Sequence, residues 1–98
     1  MASSRDYKDY IIGQLRELGS INYRKMMGEY LLYFDSILFG GIYDDRLLLK
    51  IVEASKKYKM KEVLPYSNAK KMYLVEEVDN KALLQEIILT TVEGLKNK

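Results

Sequence analysis

Apolar positions along this chain follow two different periods, and the changes from one to the other mark out its elements. Between Arg24 and Lys50 they form three runs of strand length, Glu29 to Phe34, Ile37 to Tyr43 and Arg46 to Val52. Asp35-Ser36 and Asp44-Asp45 separate the runs, and Asp suits a two-residue hairpin turn because it tolerates φ > 0 and hydrogen-bonds its own backbone. The stretch predicts a three-stranded antiparallel meander.

On the N-terminal side, Tyr7, Tyr10, Ile11, Leu15 and Leu18 recur at three- and four-residue spacing. This predicts an amphipathic helix from about Ser4 to Leu18 with the stripe turned inward. Ser3 and Asp6 have the spacing of a capping box, and Gly19 supplies the left-handed residue that ends a helix. Ile21 to Met27 leads into the meander, with Gly28 as the natural bend or bulge.

On the C-terminal side, Glu53 to Met60 suits a short second helix closed off by Pro65, and Pro65 to Lys70 is a loop by composition. Met72 to Val78 reads as a fourth strand. Asp79 is the expected N-cap of a last helix with Leu84, Ile87, Ile88, Thr91, Val92 and Leu95 along one face. Lys96 and Lys98 fall at its C-terminal end, where the helix dipole favours cations. The expected fold is therefore α+β and two-layered, an antiparallel sheet (the three-stranded meander plus a fourth strand) packed by N- and C-terminal helices.

The first two strands are apolar on both faces, whereas a sheet wetted on one side alternates more cleanly. The third places Leu47, Leu49 and Ile51 on one side and Arg46, Leu48 and Lys50 on the other. Helices should cover one face, and the simplest shield for part of the second is a partner subunit, hence an expected homodimer. Gly40-Gly41, in the middle of the second strand, is read as a bulge that curls the sheet over its helices, the alternative being close approach of a helix backbone or ligand.

Composition narrows the chemistry. The 98 residues form one domain, and with 48% apolar residues the chain is not disordered. No apolar run approaches the ~20 residues of a spanning helix, and MASSRDYKDY lacks the apolar core of a signal peptide, so a cytoplasmic protein with no membrane contact is expected. The sequence holds no Cys and no His, which removes the commonest nucleophile, base and metal ligand. Asp44-Asp45 belongs to a turn and Glu76-Glu77 points to opposite faces of a strand, so neither pair converges as a catalytic dyad. No catalysis, cofactor or metal is expected.

The opening MASSRDY, the helix ending in ELGSI, the block RKMMGEYLLYFDSILFGGIYDDRLLLK and the later LPYSNAKKMYLVEEV together resemble the N-terminal domain of the TfoX/Sxy family. The most specific part is R-K-M-x-G, then L-Y-x-D, then D-D-R-L-x-L-K. Arg24, Lys25, Met26 and Gly28 carry the first, Leu32, Tyr33 and Asp35 the second, and Asp44, Asp45, Arg46, Leu47, Leu49 and Lys50 the third. Met27, Ser36 and Glu29 stand where members commonly have Phe, Gly and Gly. The resemblance implies a stand-alone two-layer domain over residues 1–98. Full-length members are positive regulators of natural competence genes, thought to work with the cyclic-AMP receptor protein; their C-terminal domain is not part of this sequence.

The expected function is a non-enzymatic regulatory domain that contacts a protein partner, such as a transcription regulator, through Arg46, Leu48, Lys50, Lys56 and Lys57. The alternative is weak nucleic-acid binding, with Lys50, Lys56, Lys57, Lys59, Lys70 and Lys71 tracking phosphates and Tyr58 or Tyr66 stacking on a base. The formal charge of +2 favours neither. Arg46 is expected to pair with Asp44 or Asp45 and so fix the turn.

Overall fold

Three two-residue turns set the sheet. In the computed structural model, which describes residues 4–97, Met27-Gly28, Asp35-Ser36 and Asp44-Asp45 all have φ > 0 at both positions. That is the turn whose twist matches the strands it joins. The turns connect β1 (Ile21–Met26), β2 (Glu29–Phe34), β3 (Ile37–Tyr43) and β4 (Arg46–Leu49) as consecutive antiparallel hairpins. β5 (Lys61–Val63) and β6 (Met72–Val75) complete a sheet of order β1-β2-β3-β4-β6-β5.

The sheet thus has six strands where the sequence predicts four. Both additions lie at its edges. β1 exposes every side chain after Ile21, and β5 is only three residues long, so neither has an apolar alternation to betray it.

α1 (Arg5–Leu15) is capped by Ser4, whose hydroxyl accepts from Tyr7 N–H at 3.1 Å. The Ser3 half of the expected capping box lies outside the described residues. A 3-10 turn over Arg16–Leu18 and Gly19 at φ 68° finish this segment. The predicted second helix is a 3-10 segment, Glu53–Tyr58, stopped by Lys59 in the left-handed region. α2 (Lys81–Lys96) is capped by Asn80, one residue beyond the expected Asp79; its side-chain oxygen accepts from Leu83 N–H at 3.2 Å. Asp79 instead accepts from the Tyr10 hydroxyl. Lys98 lies outside the described residues.

Both helices cover one face of the sheet. Ile11 and Leu15 of α1 join Leu84, Ile87, Ile88 and Val92 of α2 over Tyr30, Leu32, Phe39, Ile42, Leu47, Leu49 and Val75. Lys8 is buried with them, its ammonium 4.2 Å from the Tyr23 ring centre and 2.5 Å from Asp9. That hydrogen bond to Asp9 pushes its pKa up. The expected bulge sits at Phe39: Leu32 pairs with Gly40 and Tyr33 with Leu38, so Phe39 is the extra residue.

Two helical glycines separate backbone propensity from packing. Gly13 has open space where a side chain would go, so Gly13→Ala should raise stability by ~0.8–1 kcal/mol through helix propensity. At Gly94 the same Cβ would stand 2.8 Å from Val52 Cβ. Gly94→Ala should therefore lower stability by ~1–2 kcal/mol despite the better propensity. Paired urea melts read the two opposite signs.

Candidate functional site

Three of the five sequence-derived residues share the second face of the sheet, because alternation from Arg46 places Leu48 and Lys50 with it on the side away from the helices. Tyr43 pairs with Arg46, Gly41 with Leu48, and Leu48 with Leu74, which extends this face across β3, β4 and β6.

The segment from Leu64 to Lys71, between β5 and β6, folds back over it. Arg46 fixes this fold: its guanidinium donates to the carbonyls of Tyr43 (3.2 Å), Leu64 (3.4 Å) and Pro65 (3.3 Å). The expected ion pair with Asp44 or Asp45 is replaced by these carbonyl contacts. Arg46 keeps a structural role, but its partners lie up to 19 residues away, beyond the reach of any local reading. The Asp45 carboxylate serves elsewhere, accepting from Ser4 N–H at 2.7 Å, and the backbone N–H of Asp44 donates to the Glu29 carboxylate at 3.2 Å.

Between the loop and the sheet lies a hollow of about 480 Å³. The Tyr43 and Tyr66 rings, centres 6.3 Å apart and inclined at 49°, stand at it with Pro65 and Met72. Burial pushes the Tyr43 phenol pKa up, with Tyr66 and Glu29 adding to the effect. The phenol is neutral at ordinary pH with or without that shift. Lys50, Lys70 and Lys71 also line the hollow, and all three are exposed.

The lysines that the sequence analysis grouped together therefore separate. Lys56 and Lys57 belong to the 3-10 segment that packs against α2, with Lys56 paired to Glu53 at 2.9 Å and Lys57 5.4 Å from the centre of the Tyr58 ring. Tyr58 is held there by hydrogen bonds to Glu86 and Thr90. Leu48 stands on the second face as expected but is fully buried within the chain. At Leu48 the cover comes from within the chain itself.

β1 and the hairpin it forms with β2 carry a feature that sequence reasoning passed over. Met27, at the β1–β2 turn, is 97% exposed with φ 51°, and Met26 beside it is also exposed. Leu31, Tyr33 and Leu38, on the same side of β2 and β3 as the hollow, are half-buried. The signal was an apolar residue before Gly28 in a two-residue gap between strands, a place that normally takes Asn or Asp. Among the described residues no three His, Cys, Asp or Glu side chains are placed to hold a metal ion, and no helix is long and apolar enough to cross a membrane.

A family model described as the TfoX N-terminal domain matches residues 13–93, which takes in the whole sheet, the Leu64–Lys71 segment and most of α2. The chain is also similar to a protein from Spirochaeta aurantia described as an uncharacterized 12.7 kDa protein in the trpE 5′ region. The two are 28% identical over 98 residues, covering 97% of this chain and 85% of that protein.

Proposed function

Because the chain belongs to the TfoX N-terminal domain family, a regulatory family associated with competence and not one of enzymes, we propose that it is a non-enzymatic regulatory domain acting through protein contact in the cytoplasm. Its partner is a component of the transcription machinery or one of its regulators. The observation that carries this reading is Met27. An L-residue in the left-handed region costs roughly 1–2 kcal/mol, and Met has no local hydrogen bond to offset it. Its side chain, 97% exposed, gains no packing within the chain either. Backbone strain of this kind, held at an exposed apolar tip, suits a contact residue. Met26 and the half-buried Leu31, Tyr33 and Leu38 extend the apolar surface behind it.

Met27→Asn separates contact from folding. Asn-Gly is the preferred pair for this turn, so the substitution should stabilise the domain by ~1 kcal/mol, a rise of roughly 4–8 °C in Tm. A photoreactive residue at position 27 should crosslink to a protein other than this chain, and one at Leu89, exposed on α2, should not. The protein so identified should bind the Met27→Asn variant at least ~10-fold more weakly, a loss of 1.4 kcal/mol. Unchanged affinity in the more stable variant would contradict the proposal.

A second copy of the chain is the other occupant this surface could take, since β1 is an edge strand with one side unpaired. Crosslinking of position 27 only to the same chain, with a dimer in sedimentation, would assign the contact to self-association.

A further inference from the structure

Three cationic residues line the Tyr43–Tyr66 hollow. Lys50, Lys70 and Lys71 line it, and no ion pair joins any of them to an acidic side chain among the described residues. No acidic residue is among the lining side chains. Arg46, which could have added a fourth charge, is committed to three carbonyls and holds the loop in place. At exposed positions their mutual repulsion is screened by solvent, and an anion placed among them would gain from all three charges.

The other half of the lining is aromatic. Tyr66 leaves 64% of its surface exposed while leaning on Tyr43, so a planar group could stack on its open face. The volume of about 480 Å³ lies within the range of small-molecule sites, roughly 300–1,000 Å³. A ligand that meets both halves must carry a compact anion and a flat ring.

We propose that this hollow binds a nucleoside monophosphate, with Lys50, Lys70 and Lys71 on the phosphate and the base stacked on Tyr66. The site is lined by the end of β3, the residues just after β4, the start of β6 and the Leu64–Lys71 segment, and none of its lining residues belongs to the β1–β2 turn, so it stands or falls independently of the protein-contact reading. The same chemistry is offered by a free nucleotide and by a single-stranded nucleic acid.

Calorimetric titration of the whole chain with ribonucleoside monophosphates, inorganic phosphate, uncharged nucleosides and a short single-stranded oligonucleotide tests it. Expected is one-to-one binding of a monophosphate with Kd below about 1 mM. Phosphate alone and nucleoside alone should each bind at least ~10-fold more weakly. Lys70→Ala/Lys71→Ala should weaken binding about 10- to 100-fold, and Tyr66→Ala about 5- to 100-fold, the range of a lost base stack. All three residues are exposed, and circular dichroism of the variants should match the parent. An oligonucleotide that binds ~10-fold tighter than the monophosphate assigns the ligand to nucleic acid, and equal or weaker binding assigns it to the free nucleotide. Absence of monophosphate binding, binding equalled by phosphate alone, or affinity unchanged in both variants would overturn the proposal.

Discussion

Leu48→Glu should unfold the domain. Leu48 has no exposed surface, and the positions paired with it, Gly41 and Leu74, offer no charge to a carboxylate. Arg46 shares its face but already donates to three carbonyls, and drawing it away would release the Leu64–Lys71 segment. An uncompensated buried charge costs about 3–5 kcal/mol, and the lost packing adds to that. Domains of this size are stable by roughly 5–15 kcal/mol, so a large part of the total disappears. Urea denaturation followed by circular dichroism should show a collapsed or absent transition. Leu48→Met should stay within ~1.5 kcal/mol of the parent, and Leu48→Ala should fall between, at about 2–5 kcal/mol. A Leu48→Glu melt indistinguishable from the parent would mean that the side chain reaches water after all. Leu48 was expected on a contact surface; its burial makes this substitution a probe of folding instead.

Gly40→Ala is expected to be the most damaging methyl addition in the chain. Its Cβ would lie 2.2 Å from the Leu48 carbonyl oxygen and 2.9 Å from Leu49 Cα, both backbone atoms of β4. No rotamer change relieves such a contact. The strands must part, which breaks the β3–β4 ladder where Gly40 pairs with Leu49. Overpacking commonly costs 1–3 kcal/mol, and a backbone obstacle in mid-sheet places this case at about 3 kcal/mol or more. Gly41→Ala meets the Tyr30 carbonyl at 2.6 Å and the Tyr43 ring at 2.9 Å, so it should rank next. Neither glycine has positive φ, so the cause is space and not backbone freedom. Equal stability of Gly40→Ala and Gly13→Ala would refute this account.

Periodicity carried the sequence reading a long way, and its failures have identifiable causes. The meander was legible because its strands have apolar faces and two of its turns are built from Asp. α2 was legible because its six expected inward residues recur at helical spacing, and five of them are buried. β1 was passed over because only Ile21 of this edge strand packs on the core and every later side chain is exposed, so no apolar alternation marks it. The 3-10 segment looked like a helix because Lys-rich composition says nothing about whether the hydrogen bonds span three residues or four. At the candidate site, the individual lysines were visible but their grouping was not. Lys50 meets Lys70 and Lys71 only because β4 and β6 pair, whereas Lys56, six residues along the chain, lies with α2 on the other side. Arg46 shows the same limit, since its contacts depend on a loop that closes far along the sequence.

The two helices that cover the inner face lie on opposite sides of the entire sheet in chain order, and they are stitched together late. Gln14 donates to the Val78 carbonyl at 2.8 Å, and Gln85 donates back to the Gln14 carbonyl at 2.9 Å. During synthesis the hairpins can assemble as they emerge, but half the lid over Leu32, Ile42 and Leu47 is translated last. The nascent domain must therefore carry an oily, half-covered ribbon until residues near 92 clear the ribosome, which makes that interval its period of greatest need for a chaperone.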